Sequence, residues 1–240
     1  MKKCFFCCFL FVMATTFLSA QSNCLIGLYG GVVNSYYLMP GGLKDAAERL
    51  PFYGPSFGVS FRHNLKGKSY LQAGLQYAKL GEKVVVADLK WGSETDGNGN
   101  YVRDPSLPHR LTMEQRTEYL SFRAGAGYYL LNAEKLRLGV MPFVEANVLL
   151  SNQNDRRFYF DDGSLDNIMA SSTEDFPPTL RKFNTSAGLA LSLEAKVSEK
   201  FDLFLAPEAA YQLQSAAVRN SPDTHHYLSV GLNLGVFYRL

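Results

Sequence analysis

Residues 183–197, FNTSAGLALSLEAKV, constrain the fold more than any other stretch. Phe183, Thr185, Ala187, Leu189, Leu191, Leu193, Ala195 and Val197 share one parity; Asn184, Ser186, Gly188, Ala190, Ser192, Glu194 and Lys196 share the other. Period two over this length dictates a β-strand with one apolar and one polar face, because a helical stripe would need apolar spacings of three and four.

The alternation recurs along the chain. Phe57, Val59 and Phe61 oppose Gly58, Ser60 and Arg62; Leu71, Ala73, Leu75 and Tyr77 oppose Gln72, Gly74 and Gln76. Leu120, Phe122, Ala124, Ala126 and Tyr128 oppose Ser121, Arg123, Gly125 and Gly127. Leu136, Leu138, Val140, Val144, Ala146 and Val148 oppose Arg137, Gly139, Glu145 and Asn147, and Phe201, Leu203, Leu205, Ala209 and Tyr211 oppose Asp202, Glu208 and Gln212. Pro142 and Pro207 interrupt these last two segments, and each predicts a bulge or a lost ladder hydrogen bond. Near the start, Ile26, Leu28 and Val32 give one apolar face. At the end, Leu228 through Leu240 alternate with Ser229, Gly231, Asn233, Gly235, Phe237 and Arg239.

These segments predict an all-β chain: a single closed antiparallel up-and-down transmembrane β-barrel of about eight strands. The connections separate this from a soluble sandwich. Short turns at HNLKGK, LNAEK and SEK alternate with long polar stretches near residues 38–55, 81–117 and 151–182 and a shorter one at 214–225. Membrane barrels keep short turns on one side and long loops on the other, whereas a sandwich has no reason to sort loops by end. The polar face is rich in glycine, as a narrow interior requires. It also carries charges of both signs: Arg62, Arg123, Arg137 and Arg239 against Glu145, Glu194, Asp202 and Glu208. Such a set can pair inside a small barrel, although a solvated outer face is the ordinary place for mixed charge. Aromatic residues at both ends of the apolar face fit two interfacial belts, or simple β-propensity.

Residues 1–20 carry Lys2 and Lys3, an uncharged apolar run and Leu18 and Ala20 before a cleavage point, which is the layout of a signal peptide. A retained membrane helix is the alternative, at the short limit for spanning. Cleavage leaves residues 21–240 as one outer-membrane β-barrel domain. It removes Cys4, Cys7 and Cys8, so Cys24 can form neither an internal disulfide nor a cysteine-based zinc site. It also leaves 22 basic residues against 22 acidic ones, which gives no electrostatic case for nucleic acid.

Catalytic and metal signatures are weak. THHYLS places His225, His226 and Ser229 together, but two residues after His225 is Tyr227 and two after His226 is Leu228. His63 and His109 have no metal-ligand spacing. Asp96, Asn98, Asn100 and Asp104 alternate as in a calcium loop, yet Tyr101 and Leu107 stand where glycine and an acid belong. No metal or cofactor is expected.

The ending NLGVFYRL, with Asn233, Gly235, Tyr238 and Leu240, looks like the C-terminal signal read by the barrel-assembly machinery. With the signal peptide and the strand pattern, the chain resembles the Bacteroidota-type outer-membrane β-barrel family, which includes PorT-like proteins. The resemblance implies a cell outer-membrane location, contact with outer-membrane lipid, insertion by the assembly machinery and a secretion-accessory role. An interior of about eight strands is filled by side chains, so diffusion of solutes is not expected. The expected function is a non-enzymatic structural, binding or assembly/secretion-accessory barrel that meets a protein partner through long outer loops, chiefly residues 159–178 and the stretch around Trp91. The alternative is a lipid-modifying barrel enzyme, and a soluble periplasmic barrel is the rival fold.

Overall fold

In the computed structural model, described for residues 23–38, 47–89, 97–99, 102, 104, 106–170, 180–215 and 226–240, the alternating segments form ten antiparallel strands. These are β1 (Cys24–Leu38), β2 (Ala47–Leu50), β3 (Phe52–Asn64), β4 (Ser69–Val86), β5 (Arg110–Asn132), β6 (Leu136–Tyr159), β7 (Leu165–Ala170), β8 (Phe183–Lys196), β9 (Phe201–Gln212) and β10 (His226–Arg239). Eight of them close a ring in the order β1-β3-β4-β5-β6-β8-β9-β10. The closing pair, β1 with β10, runs from Leu25 opposite Arg239 to Leu38 opposite His226, and the Leu240 amide donates to the Cys24 carbonyl at 3.0 Å. The proposed signal segment 1–20, Trp91 and His225 lie outside the described residues.

The tight turns gather at one end of the ring. Leu65 N–H donates to the Ser69 carbonyl at 2.9 Å, and Gly67 adopts a φ of 86° that an L side chain rarely takes. Ser198 Oγ accepts from the Phe201 amide at 3.0 Å and holds the β8–β9 turn.

At the other end, the sequence reading needs correction. Both ends of the stretch 81–117 are strand: β4 and β5 stay in register from Ser69 opposite Tyr128 up to Val86 opposite Leu111. β6 continues to Tyr159, β7 pairs with its last six residues, Asn154 to Tyr159, and β2 pairs with the top of β4. Two strands beyond the expected eight therefore stand in the expected loops. Alternation is faint in these strand extensions, where polar contacts across and along the strands take its place. Lys79 pairs with Glu118 at 3.1 Å, Glu114 with Arg116 at 2.8 Å and Asp155 with Arg157 at 2.7 Å.

Neither proline carries a register shift. The β5–β6 ladder lapses for two rungs beside Pro142, between Gly125/Phe143 and Tyr128/Val140. The β8–β9 ladder lapses beside Pro207, between Ala190/Glu208 and Leu193/Leu205. Each proline stays in register with its other neighbour. The two irregularities of β5–β6 lie elsewhere, at Glu118/Tyr119 and Tyr129/Leu131.

The ring is inside out relative to a water-soluble one. Its outward side chains are apolar and exposed, with Leu28 at 65% and Leu234 at 63%, while Arg62 at 2% and Glu194 at 1% are buried inside. Inward glycines make room for inward rings: a Cβ on Gly235 would lie 2.6 Å from Phe204 Cζ, and one on Gly127 would overlap the Tyr70 ring.

Candidate functional site

The polar parity of each strand points into the ring, and its charges sort into two layers. Near the tight turns, Arg62 of β3 pairs with Glu194 of β8. Arg62 also donates to Gln72 Oε1 at 2.9 Å and to Tyr129 Oη at 3.0 Å. Its guanidinium lies between the Tyr70 and Phe237 rings, 4.2 Å from each centroid, which offsets part of the desolvation of a buried cation. Arg137 of β6 bridges Glu194 at 3.1 Å and Asp202 of β9 at 2.5 Å, and Arg239 of β10 reaches Asp202 at 3.1 Å.

Midway along the ring, Arg123 of β5 holds two carboxylates. It donates to Glu208 of β9 in a fork, Nη1 to Oε2 at 2.5 Å and Nη2 to Oε1 at 3.0 Å. It also donates from Nε to Glu145 Oε1 of β6 at 2.9 Å. The Phe143 ring covers one face of the guanidinium at 4.0 Å. Of the eight polar-face charges that the sequence shows, Arg62, Arg123, Arg137, Glu145, Glu194, Glu208 and Arg239 thus meet in these two layers. Asp202 joins them as the shared acceptor of Arg137 and Arg239.

Above Arg123 the interior turns neutral and polar. Asn147 Nδ2 donates to Asn184 Oδ1 at 2.8 Å and to Ser186 Oγ at 2.7 Å. The Tyr227 amide donates to Gln212 Oε1 at 3.2 Å. A chamber of about 40 Å³ lies among these groups with Arg123, Glu145 and Glu208 on its wall, and a second of about 30 Å³ lies toward Arg62. Beyond these groups, Leu180 and Tyr227 form a buried apolar cluster with Leu80 and Leu149 packed against it. Voids of this size hold a few waters at most.

The other candidates are dispersed. His226 stacks on the outward Tyr211 ring at 5.5 Å, and its Nδ1 sits 2.8 Å from the Gln212 carbonyl. Ser229 lines the inner chamber, so the wall separates this His from this Ser. His63 Nδ1 lies 3.3 Å from Cys24 Sγ, and His109 lies 3.3 Å from Asp161. Among the described residues no group of three His, Cys, Asp or Glu could hold a metal ion. On the hairpins, Asp104 and Asp162 are held below the usual carboxylate range by hydrogen bonds from the hydroxyl and then the backbone amide of Ser106 and of Ser164. Both are local turn contacts. Of the four residues expected to form a C-terminal signal, Asn233 and Gly235 point inward and Tyr238 and Leu240 outward.

The inward rings Tyr29, Tyr70, Tyr129, Phe143, Phe204 and Phe237 escape hydropathy alone, since each breaks the polar rule of its face. Parity finds them.

No known family model matches this chain, and no curated protein matches it. Solved structures similar to it include Ail, the attachment invasion locus protein of Yersinia pestis, at 11% identity over 91% of this chain and 99% of that one, with a TM-score of 0.39. OprG, an outer membrane protein of Pseudomonas aeruginosa, matches at 11% identity over 91% and 96%, with a TM-score of 0.44. The outer membrane protease OmpT of Escherichia coli matches at 9% identity over 91% and 96%, with a TM-score of 0.37. Likenesses this loose transfer neither detail nor activity to this chain.

Proposed function

We propose that this chain is a transmembrane β-barrel of a cell outer membrane, exported by a cleaved signal peptide, that acts by binding or assembly through its outer hairpins and not by catalysis. The observation that carries the reading is the inversion of the ring: an exposed apolar wall around a buried ionic interior. In water that wall would be a continuous apolar surface far larger than soluble monomers tolerate. In hydrocarbon it is the favourable face, and closure satisfies the backbone groups that an open edge would strand.

The dimensions agree. The apolar parity of β9 runs from Phe201 to Tyr211 and that of β10 from Leu228 to Tyr238, close to the roughly 9–11 residues that a tilted strand needs to cross a bilayer. Aromatic pairs sit at both borders: Phe201 with Tyr238 at 5.3 Å beside the tight turns, and Phe57 with Tyr77 at 4.7 Å beside the hairpins. Paired strands that continue past this band give the hairpins a rigid base, which suits recognition of a protein partner.

Gel mobility of unheated and boiled membrane extracts tests the reading. The expected result is a heat-dependent shift, with the protein retained in the outer-membrane fraction. An unshifted band released with periplasmic contents would overturn it.

A further inference from the structure

The interior charges do not balance layer by layer. Arg123 is one cation facing two carboxylates, Glu145 and Glu208, and all three side chains are at most 10% exposed. Among the described residues no other cation pairs with either carboxylate. Gln76 and Asn233 stand beside Glu208 but bring no charge. The layer near the tight turns has the opposite excess, Arg62, Arg137 and Arg239 against Glu194 and Asp202. There Arg239 is one-third exposed, so solvent can screen the surplus. Solvent does not reach Arg123 in this way, and the second chamber and the Tyr29, Phe204 and Met141 side chains that line it lie between the layers. With both carboxylates ionised, one negative charge is left in a poorly solvated place, where an uncompensated ion is costly.

The chamber above the triad offers compensation. Its wall is rich in oxygens, from Ser121, Ser186, Asn147, Gln212, Glu145 and Glu208. Two further polar atoms on the wall, Tyr119 Oη and Asn184 Nδ2, are sealed from bulk water and have no hydrogen-bond partner. Asn184 and Gln212 stand beside the Tyr119 hydroxyl without meeting it in hydrogen-bond geometry. Tyr119 is 3% exposed and Asn184 fully buried, so both call for something inside the chamber. We propose that this chamber binds one sodium-sized monovalent cation, seated on Glu145 and Glu208 with water bridging upward to Tyr119 and Asn184. About 40 Å³ accommodates a largely dehydrated monovalent ion with a water. A magnesium ion keeps several waters and demands octahedral oxygen geometry, and its second charge would reverse the imbalance. An anion would meet the carboxylates.

The test is the thermal unfolding of the detergent-folded protein in sodium chloride against choline chloride at equal ionic strength. Sodium is expected to raise the melting temperature by roughly 2–6 °C as it goes from about 1 to 100 mM, the size of effect that mass action gives a weak site. Glu145→Gln makes the triad one-to-one while the Arg123 fork on Glu208 stays intact, and it is expected to abolish the sodium response. Tyr119→Phe is expected to weaken the response and keeps the question answerable should Glu145→Gln fail to fold. Equal melting in sodium and choline overturns the proposal, as does a Glu145→Gln response equal to wild type. Melting indifferent to sodium but shifted by one proton across neutral pH also overturns it, because a shared proton would then carry the balance. The heat-dependent gel shift, recorded on the same samples, reports the barrel itself, so loss of the cation site and loss of the barrel reading are distinguishable.

Discussion

Arg62 shows what a single interior residue contributes. Its guanidinium meets Glu194, Gln72 and Tyr129 and is capped on both faces by aromatic rings. Replacing it with methionine would keep the volume but leave Glu194 with Arg137 as its one cationic partner. Removing one member of a buried pair typically costs about 3–5 kcal/mol, and Arg62→Met is expected to fall near the lower end because Arg137 remains. Urea unfolding in micelles measures the loss. Parity alone assigns Arg62, Arg123, Arg137 and Glu194 to one face of their strands. Which carboxylate each arginine meets is invisible at that level: Arg62 and Glu194 are brought together by the stagger of strands that do not touch one another, and period two encodes no stagger.

At the scale of the strand, the sequence is clearest where one face is uniformly apolar. Residues 183–197 can be read directly, whereas SNQNDRRFY at the top of β6 has no alternation and is nonetheless paired strand to Tyr159. There the ladder is held by backbone bonds and like-polarity neighbours, which hydropathy does not register. The prolines are the converse case: their chemistry announces a missing donor, and the structure locates it on one side of each strand. Restoring the donor at the β5–β6 lapse with Pro142→Val is expected to raise stability by about 0.5–1.5 kcal/mol, the net value of one hydrogen bond. The gain should appear as a higher denaturant midpoint and as slowed amide exchange at the Ala126–Gly127 lapse. No change in either would mean that the strands are held apart there for another reason, the Tyr70 ring against Gly127 being the nearest one.

For the whole molecule, everything turns on what the wall faces, and a single outward position can report it. Leu234 sits near the middle of β10, pairs with Gly30 on one side and Leu205 on the other, and is 63% exposed. Closure of β1 on β10 leaves this side chain no protein surface to cover it. A water-facing wall would accept Leu234→Arg with a change within about 0.5 kcal/mol, as ordinary surface sites do. A lipid-facing wall would lose about 2–4 kcal/mol near the bilayer midplane. Folding into lipid vesicles, followed by a guanidinium titration of wild type and variant, separates the two. The larger cost is expected, and it should shrink for the same substitution at Leu228, close to the Tyr211 border, because a charge there reaches the headgroups. A cost that depends on depth is a property of a bilayer and not of water, so the gradient between the two positions is the decisive quantity.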